Sequence, residues 1–411
     1  MTAARAGLRE LAVTLHLDEV QPVGVLALDG RQVYFAFDAA FVASGRSLSP
    51  YALPVVPGLR AHAAKPGVPV PGVFGDSLPD GWGLRLLHRA FAARGRPRAS
   101  LTALDHLAFL GDRAMGALGY EPTTGPEALF EAVELGELAT HARAVYRGDI
   151  DEVLPQLLRA GGSPGGVRPK ALIGRRGAET CIGEASLPDG FSPWLVKLER
   201  PEDDGDCARR EAVWLHLARR AGIIVPSFET VDLGDAGTAL VTRRFDRQPR
   251  RHLLSAAGAL DVDFRTAVVD YAELGRLALL LSRGDLGQAA ALVRRAAFNV
   301  VMGNDDDHLK NHAWLYDGTA WALSPAYDLT WSPLAARSTP VCGRVADVPR
   351  GALEELGARL GLPSGTTGTI LDEVCAAADE VASSLEAFGC TNAVSRRAAV
   401  DVEARLRRVA G

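Results

Sequence analysis

Three consecutive aspartates, Asp305-Asp306-Asp307, sit inside the stretch Met302-Gly-Asn-Asp-Asp-Asp-His-Leu-Lys-Asn-His312. Adjacent carboxylates repel one another, so a fold that keeps three of them in a row must bring something cationic to the same place. The spacing of apolar residues predicts a helix over 289–302 that ends at Gly303, with the triplet just beyond its last turn. Behind the triplet, Ala313–Leu323 reads as a hairpin turning at Asp317-Gly318 and delivering Ser324-Pro-Ala-Tyr-Asp328. A hairpin returns the chain to where it started, so Asp328 is expected beside Asn311.

The rest of the chain bounds the answer. It has 411 residues, 47% of them apolar and 23% charged, which suits a globular protein of two to three domains. The net charge of −5 offers no global basic field for nucleic acid or an anionic membrane. No apolar run is long enough to span a bilayer, and the first twenty residues lack a signal core, so a cytoplasmic protein without membrane contact is expected. Five cysteines with no Cys-x-x-Cys spacing suit free thiols in a reducing compartment, not a disulfide framework or a structural zinc site.

Along the chain, alternation in Leu11–Leu17 and Val33–Phe37, with Asp29-Gly30 as a turn, predicts strands. A Pro/Gly-rich stretch follows, then helical spacing from Trp82 to about Leu110 and a second, charged helical stretch over 126–160. Lys170-Ala-Leu-Ile and Trp194–Leu198 flank the glycine-rich turn Gly161–Lys170 and predict a small sheet there. A helix is expected from Asp206, as cap, to Gly222, as terminator, and further strands at Ile223-Ile-Val and Thr238–Phe245. After about Gly258 the pattern is mainly helical. The fold class is therefore α+β: an N-terminal β-rich subdomain with short helices (1–125), a mixed α/β lobe (126–255) and a mainly helical lobe (256–411).

The chemistry concentrates on oxygen ligands. Protein kinases place an Asn five residues after the catalytic-loop Asp; the Asp receives the hydroxyl proton and the Asn holds Mg²⁺. Only Asp306, with Asn311, has that spacing. Asn311 and Asp328 are both oxygen donors, fit for a hard cation carrying triphosphate. Upstream, the glycine-rich turn Gly161–Lys170 offers backbone N–H groups for phosphate, and Lys197 lies in an otherwise apolar strand from which it can reach α/β-phosphates. Glu211 on the next helix is its natural partner. Each residue also has a plainer reading: Lys197 as a surface lysine, Glu211 as an exposed helix charge, Asp328 as a turn cap, Asp305 and Asp307 as solvated or local caps. The basic run Arg243–Arg251 reads as a solvated strand edge and loop. His308 and His312 have zinc-pair spacing but no third ligand nearby, and the aspartates do not follow a calcium-loop pattern.

Six stretches, in order over nearly the whole chain, resemble the HipA-like family of serine/threonine kinases, the toxin halves of bacterial toxin–antitoxin pairs: Phe74–Gly81, Ser163–Lys170, Trp194–Leu198, Arg244–Arg247, Gly303–Asn311 and Pro325–Asp328. The resemblance implies a β-rich subdomain fused to a bilobal kinase-like core. It implies ATP and Mg²⁺ as cofactors, Asp306 as catalytic base, and Asn311 and Asp328 as metal ligands. The phosphate loop would be Gly165, Gly166, Val167, Arg168, Pro169 and Lys170, with Lys197 on the phosphates and Glu211 supporting it. Arg243, Arg244, Phe245, His308 and Tyr327 would complete the nucleotide site. It further implies autophosphorylation at Ser163 as an off switch. The expected protein substrate is a translation protein such as an aminoacyl-tRNA synthetase, and the expected partner a helix-turn-helix antitoxin through which DNA is reached indirectly. Arg243 departs from the acidic residue relatives can carry, and Pro164 stiffens the turn after Ser163. Three other readings stand beside this one: a kinase for a small molecule or peptide, a nucleotide-binding scaffold or repressor subunit without activity, and a two-domain enzyme of unrelated chemistry.

Overall fold

The computed structural model describes residues 8–63, 65–127, 130–149, 155–160, 166–182 and 187–410. The chain divides into two compact units. One comprises Met1–Pro201, Asp232–Asp263 and Leu315–Thr319, the other Glu202–Val231, Phe264–Trp314 and Ala320–Gly411.

The first unit carries two antiparallel sheets. In the N-terminal one, β1 (Glu10–His16), β2 (Val20–Asp29), β3 (Gln32–Phe37), β4 (Leu59–Ala61) and β5 (Leu118–Glu121) lie in the order β4-β3-β2-β1-β5. The Asp29↔Gln32 register leaves Gly30-Arg31 as a two-residue loop, with Gly30 at φ 58°, as the Asp-Gly signal predicts. Leu11, Val13 and Leu15 point inward along β1; burying each such side chain is worth roughly 1.5–3 kcal/mol. A β-carbon on Gly24 would lie 2.2 Å from the Ala36 carbonyl oxygen, so only glycine lets β2 approach β3 there. Phe35 packs against Phe74 with the rings tilted at 54° and their centroids 4.8 Å apart, tying the sheet to the Phe74–Gly81 stretch.

The helical spacing from Trp82 to Leu110 is realised as two helices, Gly81–Ala93 and Ala103–Leu110, divided at Gly95 and Pro97. The second starts at a capping box between Thr102 and Asp105. The stretch 126–160 is less uniformly helical than its pattern suggests. Helices Leu135–Arg147 and Pro155–Ala160 are preceded by a short strand, β6 (Glu131–Ala132). In the second sheet, Thr238–Arg243, β9 (Ser192–Lys197), β7 (Lys170–Arg176), β8 (Glu179–Ile182) and β6 are consecutive neighbours in that order.

The second unit is helical. Tyr271–Leu281 packs on Leu286–Val301, which packs in turn on Thr366–Asp379 and on the C-terminal helix Ala393–Ala410. Trp214, on helix Cys207–Arg220, is fully buried and its indole Nε1–H donates to the Met302 carbonyl at 3.0 Å, pinning the end of helix Leu286–Val301. Two expectations need correction. Asp206 holds the N-cap position, but its carboxylate does not cap; it accepts from the Asn392 backbone N–H and the Ser395 hydroxyl, both at 3.0 Å. Ile223-Ile-Val is not a strand. Pro226 follows it, and the Ile224 carbonyl is taken by the Ala326 backbone N–H at 2.8 Å.

Candidate active site

Helix Leu286–Val301 ends at Gly303, whose φ of 66° turns the chain sharply. The three aspartates after it take three different environments. Asp305 is buried: Arg405, from the C-terminal helix, grips it with both guanidinium nitrogens, at 3.1 and 2.8 Å, and Arg337 stands 3.6 Å away. Asp307 has no exposed surface. It accepts from Arg337 Nη2 at 2.8 Å, the Tyr271 hydroxyl at 2.6 Å and the Thr339 backbone N–H at 3.2 Å. Burial pushes the Asp307 carboxyl up to about 6 against the pull of Arg337 and these donors, so the pair is ionised at neutral pH. Asp306 alone is exposed, and among the described residues its carboxylate meets only the Ser338 hydroxyl, at 3.5 Å. The expectation that Asp305 and Asp307 are solvated or local caps is therefore wrong. The cations demanded by the triplet are two arginines, and they flank the central residue on both sides.

The loop is closed by Asn311, whose Nδ2 donates to the Asp306 carbonyl at 3.1 Å, a bond that does not use its amide oxygen. The chain then runs through the strands Ala313–Tyr316 and Trp321–Leu323, joined at Asp317-Gly318 as predicted. The Tyr327 hydroxyl donates to the Lys310 carbonyl at 2.6 Å, joining the residue before Asp328 to the residue before Asn311. Asp328 is half-buried and adopts φ 54°, a conformation disfavoured outside glycine that its surroundings must hold in place. His308 is half-buried with its ring 4.9 Å from that of Phe264, and its Nδ1 is buried with no hydrogen-bond partner among the described residues. His312 is fully buried against the Asp307 carbonyl at 3.1 Å, and burial pushes its imidazole down to about 3. In the same unit, Glu211 is buried on helix Cys207–Arg220, not the exposed charge its position alone suggests.

The other unit gathers cationic groups. Lys170 on β7 stands directly opposite Lys197 on β9 in the antiparallel register, and both are buried, at 5% and 9% exposure. Residues paired this way project from the same face of a sheet, and like charges there oppose one another unless anionic groups offset them. Neither lysine is the surface residue that a plain reading allows. A β-carbon on Gly166 would lie 2.8 Å from Lys170 Nζ, so the glycine lets the ammonium rest against the turn. Gly166 and Val167 are exposed, Arg168 is half-buried and Pro169 buried; Gly165 and Ser163, with the rest of 161–165, lie outside the described residues.

Arg243 is exposed and Phe245 half-buried, but Arg244 is buried, not solvated. Its guanidinium is bound to the Asp246 carboxylate at 3.0 and 2.6 Å, both side chains being at most 1% exposed. Burial raises the Asp246 carboxyl, but Arg244 and Arg247 outweigh it and hold it down at about 2. The basic run is thus partly a buried structural clamp, because Arg244, Asp246 and Arg247 satisfy one another and the Gly116 N–H.

Three residues that hold the aspartate loop were not legible in the sequence: Arg337, Arg405 and Tyr271. The one available signal was the triplet itself, which demanded cations without saying which.

The chain matches the HipA N-terminal domain over residues 13–121 and the HipA-like C-terminal domain over residues 162–382. It is similar to the putative kinase Y4dM of Sinorhizobium fredii, 35% identical over 153 residues, 33% of this chain and 36% of that protein. It is also similar to the serine/threonine-protein kinase toxin HipA of Shewanella oneidensis, 28% identical over 190 residues, 41% of this chain and 42% of that protein. The chain thus aligns with less than half the length of either relative. Among solved structures it resembles a chain of the Shewanella oneidensis MR-1 toxin–antitoxin complex of HipA, HipB and operator DNA, with a TM-score of 0.72 over 97% of both chains at 19% identity. That likeness bears out the α+β, kinase-like architecture.

Proposed function

The chain belongs to the HipA-like family, and from that premise we propose that it is an ATP-dependent protein serine/threonine kinase whose catalytic base is Asp306. The observation that carries the proposal is the sorting of the aspartate triplet. Its outer members are locked to Arg337 and Arg405, and the middle one is left exposed on a loop tied to Asn311. A structural use of the triplet alone would give no reason to keep the central carboxylate in solvent between two buried ion pairs.

In this reading the loop's rigidity aims the Asp306 carboxylate at a Ser or Thr hydroxyl, orienting it and taking its proton. Asn311 and Asp328, both oxygen donors, would hold Mg²⁺. When bound, Mg²⁺-ATP supplies the phosphoryl group and the metal neutralises its charge. Lys170 and Lys197 hold phosphate oxygens, and the Gly166–Lys170 turn contributes backbone N–H groups. Glu211 has a supporting role, and Arg243, Phe245, His308 and Tyr327 are the proposed nucleotide-binding residues. The Arg244 side chain is excluded from contact with the nucleotide by its bond to Asp246. Residues 126–255 then serve as the nucleotide lobe and 256–411 as the catalytic lobe. Ser163 is the autophosphorylation site: a doubly negative group there repels ATP phosphates and switches the enzyme off. A HipB-like antitoxin is the proposed partner, DNA being reached through it, and a cytoplasmic translation protein is the proposed substrate.

The test is transfer of labelled γ-phosphoryl from Mg²⁺-ATP to proteins of a cell lysate. Asp306→Ala is expected to abolish transfer while leaving the far-ultraviolet circular dichroism unchanged. Undiminished transfer by that variant defeats the assignment.

A further inference from the structure

The stretch Phe74–Gly81 has no part in the chemistry above, yet its end touches the proposed phosphate turn at three points. The Trp82 backbone N–H donates to the Gly166 carbonyl at 3.1 Å. The Trp82 indole Nε1–H donates to the Lys170 carbonyl at 3.0 Å. A β-carbon on Gly81 would lie 2.2 Å from the Gly166 carbonyl oxygen and 2.9 Å from the Val167 nitrogen. One residue therefore holds both ends of the Gly166–Lys170 turn, and its neighbour meets the turn with bare backbone. A third bond, from the Leu198 N–H to the Pro169 carbonyl at 2.8 Å, anchors the turn to the end of β9, next to Lys197.

We propose that Gly81 and Trp82 are positioning residues for nucleotide binding: they tie back the carbonyl oxygens of the Gly166–Lys170 turn so that it presents a phosphate with donors. This inference rests on the kinase reading above. All three bonds take carbonyl oxygens, the groups that repel phosphate, and none of the three takes an N–H of the turn. The Lys170 ammonium lies against Gly166 on the same turn, so releasing the turn also displaces a cation that holds the ligand. A residue placed only to fill the core would need the apolar area of Trp82, which is 1% exposed, but neither its indole N–H nor a side-chain-free neighbour.

Two substitutions separate these roles, with calorimetric titration of Mg²⁺-ATP, KM and kcat for ATP, and thermal melting as readouts. Gly81→Ala is compared with Gly95→Ala. Both glycines have positive φ, 42° and 72°, so both variants carry backbone strain, but a β-carbon at Gly95 meets nothing within 4 Å. The expected result is that Gly81→Ala weakens ATP binding by about tenfold or more and raises KM with kcat little changed. Gly95→Ala should bind ATP as the unaltered protein does. Trp82→Phe keeps the aromatic bulk and loses one hydrogen bond; it should weaken binding about fivefold. If Trp82→Phe, or a folded Gly81→Ala, binds ATP as tightly as Gly95→Ala, the positioning role is overturned while the kinase reading stands. If the unaltered protein binds no Mg²⁺-ATP, the kinase reading fails and the positioning role with it.

Discussion

Asp306→Asn and Asp307→Asn alter adjacent, chemically identical side chains by the same two atoms, yet the structure demands opposite outcomes. At Asp307 the change removes a fully buried carboxylate that takes three donors, at 2.6, 2.8 and 3.2 Å. An amide keeps one acceptor oxygen: in the Oδ2 position it serves the Tyr271 hydroxyl and Arg337 but sets its NH₂ against the Thr339 N–H, and in the Oδ1 position it serves Thr339 and loses the other two. Arg337, 2% exposed, is left with Asp305 at 3.6 Å as its remaining carboxylate. Breaking one partner of a buried pair costs about 3–5 kcal/mol. At Asp306 the single hydrogen bond, at 3.5 Å on an exposed side chain, makes the expected change about 0.5 kcal/mol or less. Urea unfolding of the two variants followed by circular dichroism measures this directly, and labelled-phosphate transfer gives the complementary readout. Asp306→Asn should keep its midpoint and lose about a thousandfold or more in turnover, whereas Asp307→Asn should lose several kcal/mol of stability. Equal destabilisation by both, or a stable Asp307→Asn, would show that the loop is not held as described.

Other consequences follow from the same geometry. Burial holds the imidazoles of His106 and His252 down at about 4 and that of His312 at about 3. The unfolded chain therefore binds protons first as pH falls. Their contribution is fully present above about pH 6.5 and is lost as pH falls toward 4 for His106 and His252 and toward 3 for His312, by about 3 kcal/mol each at pH 4; a urea midpoint that stays flat from pH 7 to pH 4.5 would contradict this. Arg244→Met should cost about 3–5 kcal/mol by stranding Asp246, and adding Asp246→Leu should recover most of it in the same unfolding assay. A double variant no more stable than Arg244→Met alone would show that the pair is not the unit. Lys170→Met and Lys197→Met should each weaken ATP binding about tenfold or more, because the two lysines share one sheet face; calorimetry that finds an effect from only one separates them.

Much of the framework was readable because it depends on neighbours in sequence. The Asp29-Gly30 turn, the helix end at Gly303, the turn at Asp317-Gly318 and the five-residue interval from Asp306 to Asn311 each need only a few adjacent dihedral angles. Where local pattern misled, a remote group had taken over. Ile223-Ile-Val has the β-branched character of a strand, but its carbonyl goes to Ala326. Asp206 has the chemistry of a cap, but Asn392 and Ser395 claim its carboxylate. Arg244 lies in a basic run, but the Ala114 carbonyl accepts from it and the Gly116 N–H holds its partner Asp246, so both are drawn inward.

By itself, then, the amino-acid order determined that an acidic bend would follow a helix and that a paired Asp and Asn would sit in it, since backbone geometry over a few residues dictates both. Only the tertiary structure decided which carboxylate stays in water. Arg337 reaches Asp307 across 30 residues and Arg405 reaches Asp305 across 100, and Trp82 holds the lysine turn across 88. The physical reason is desolvation. A charge can be buried only where the rest of the fold delivers its partner, and that delivery is a property of packing, with no trace in the spacing of adjacent residues.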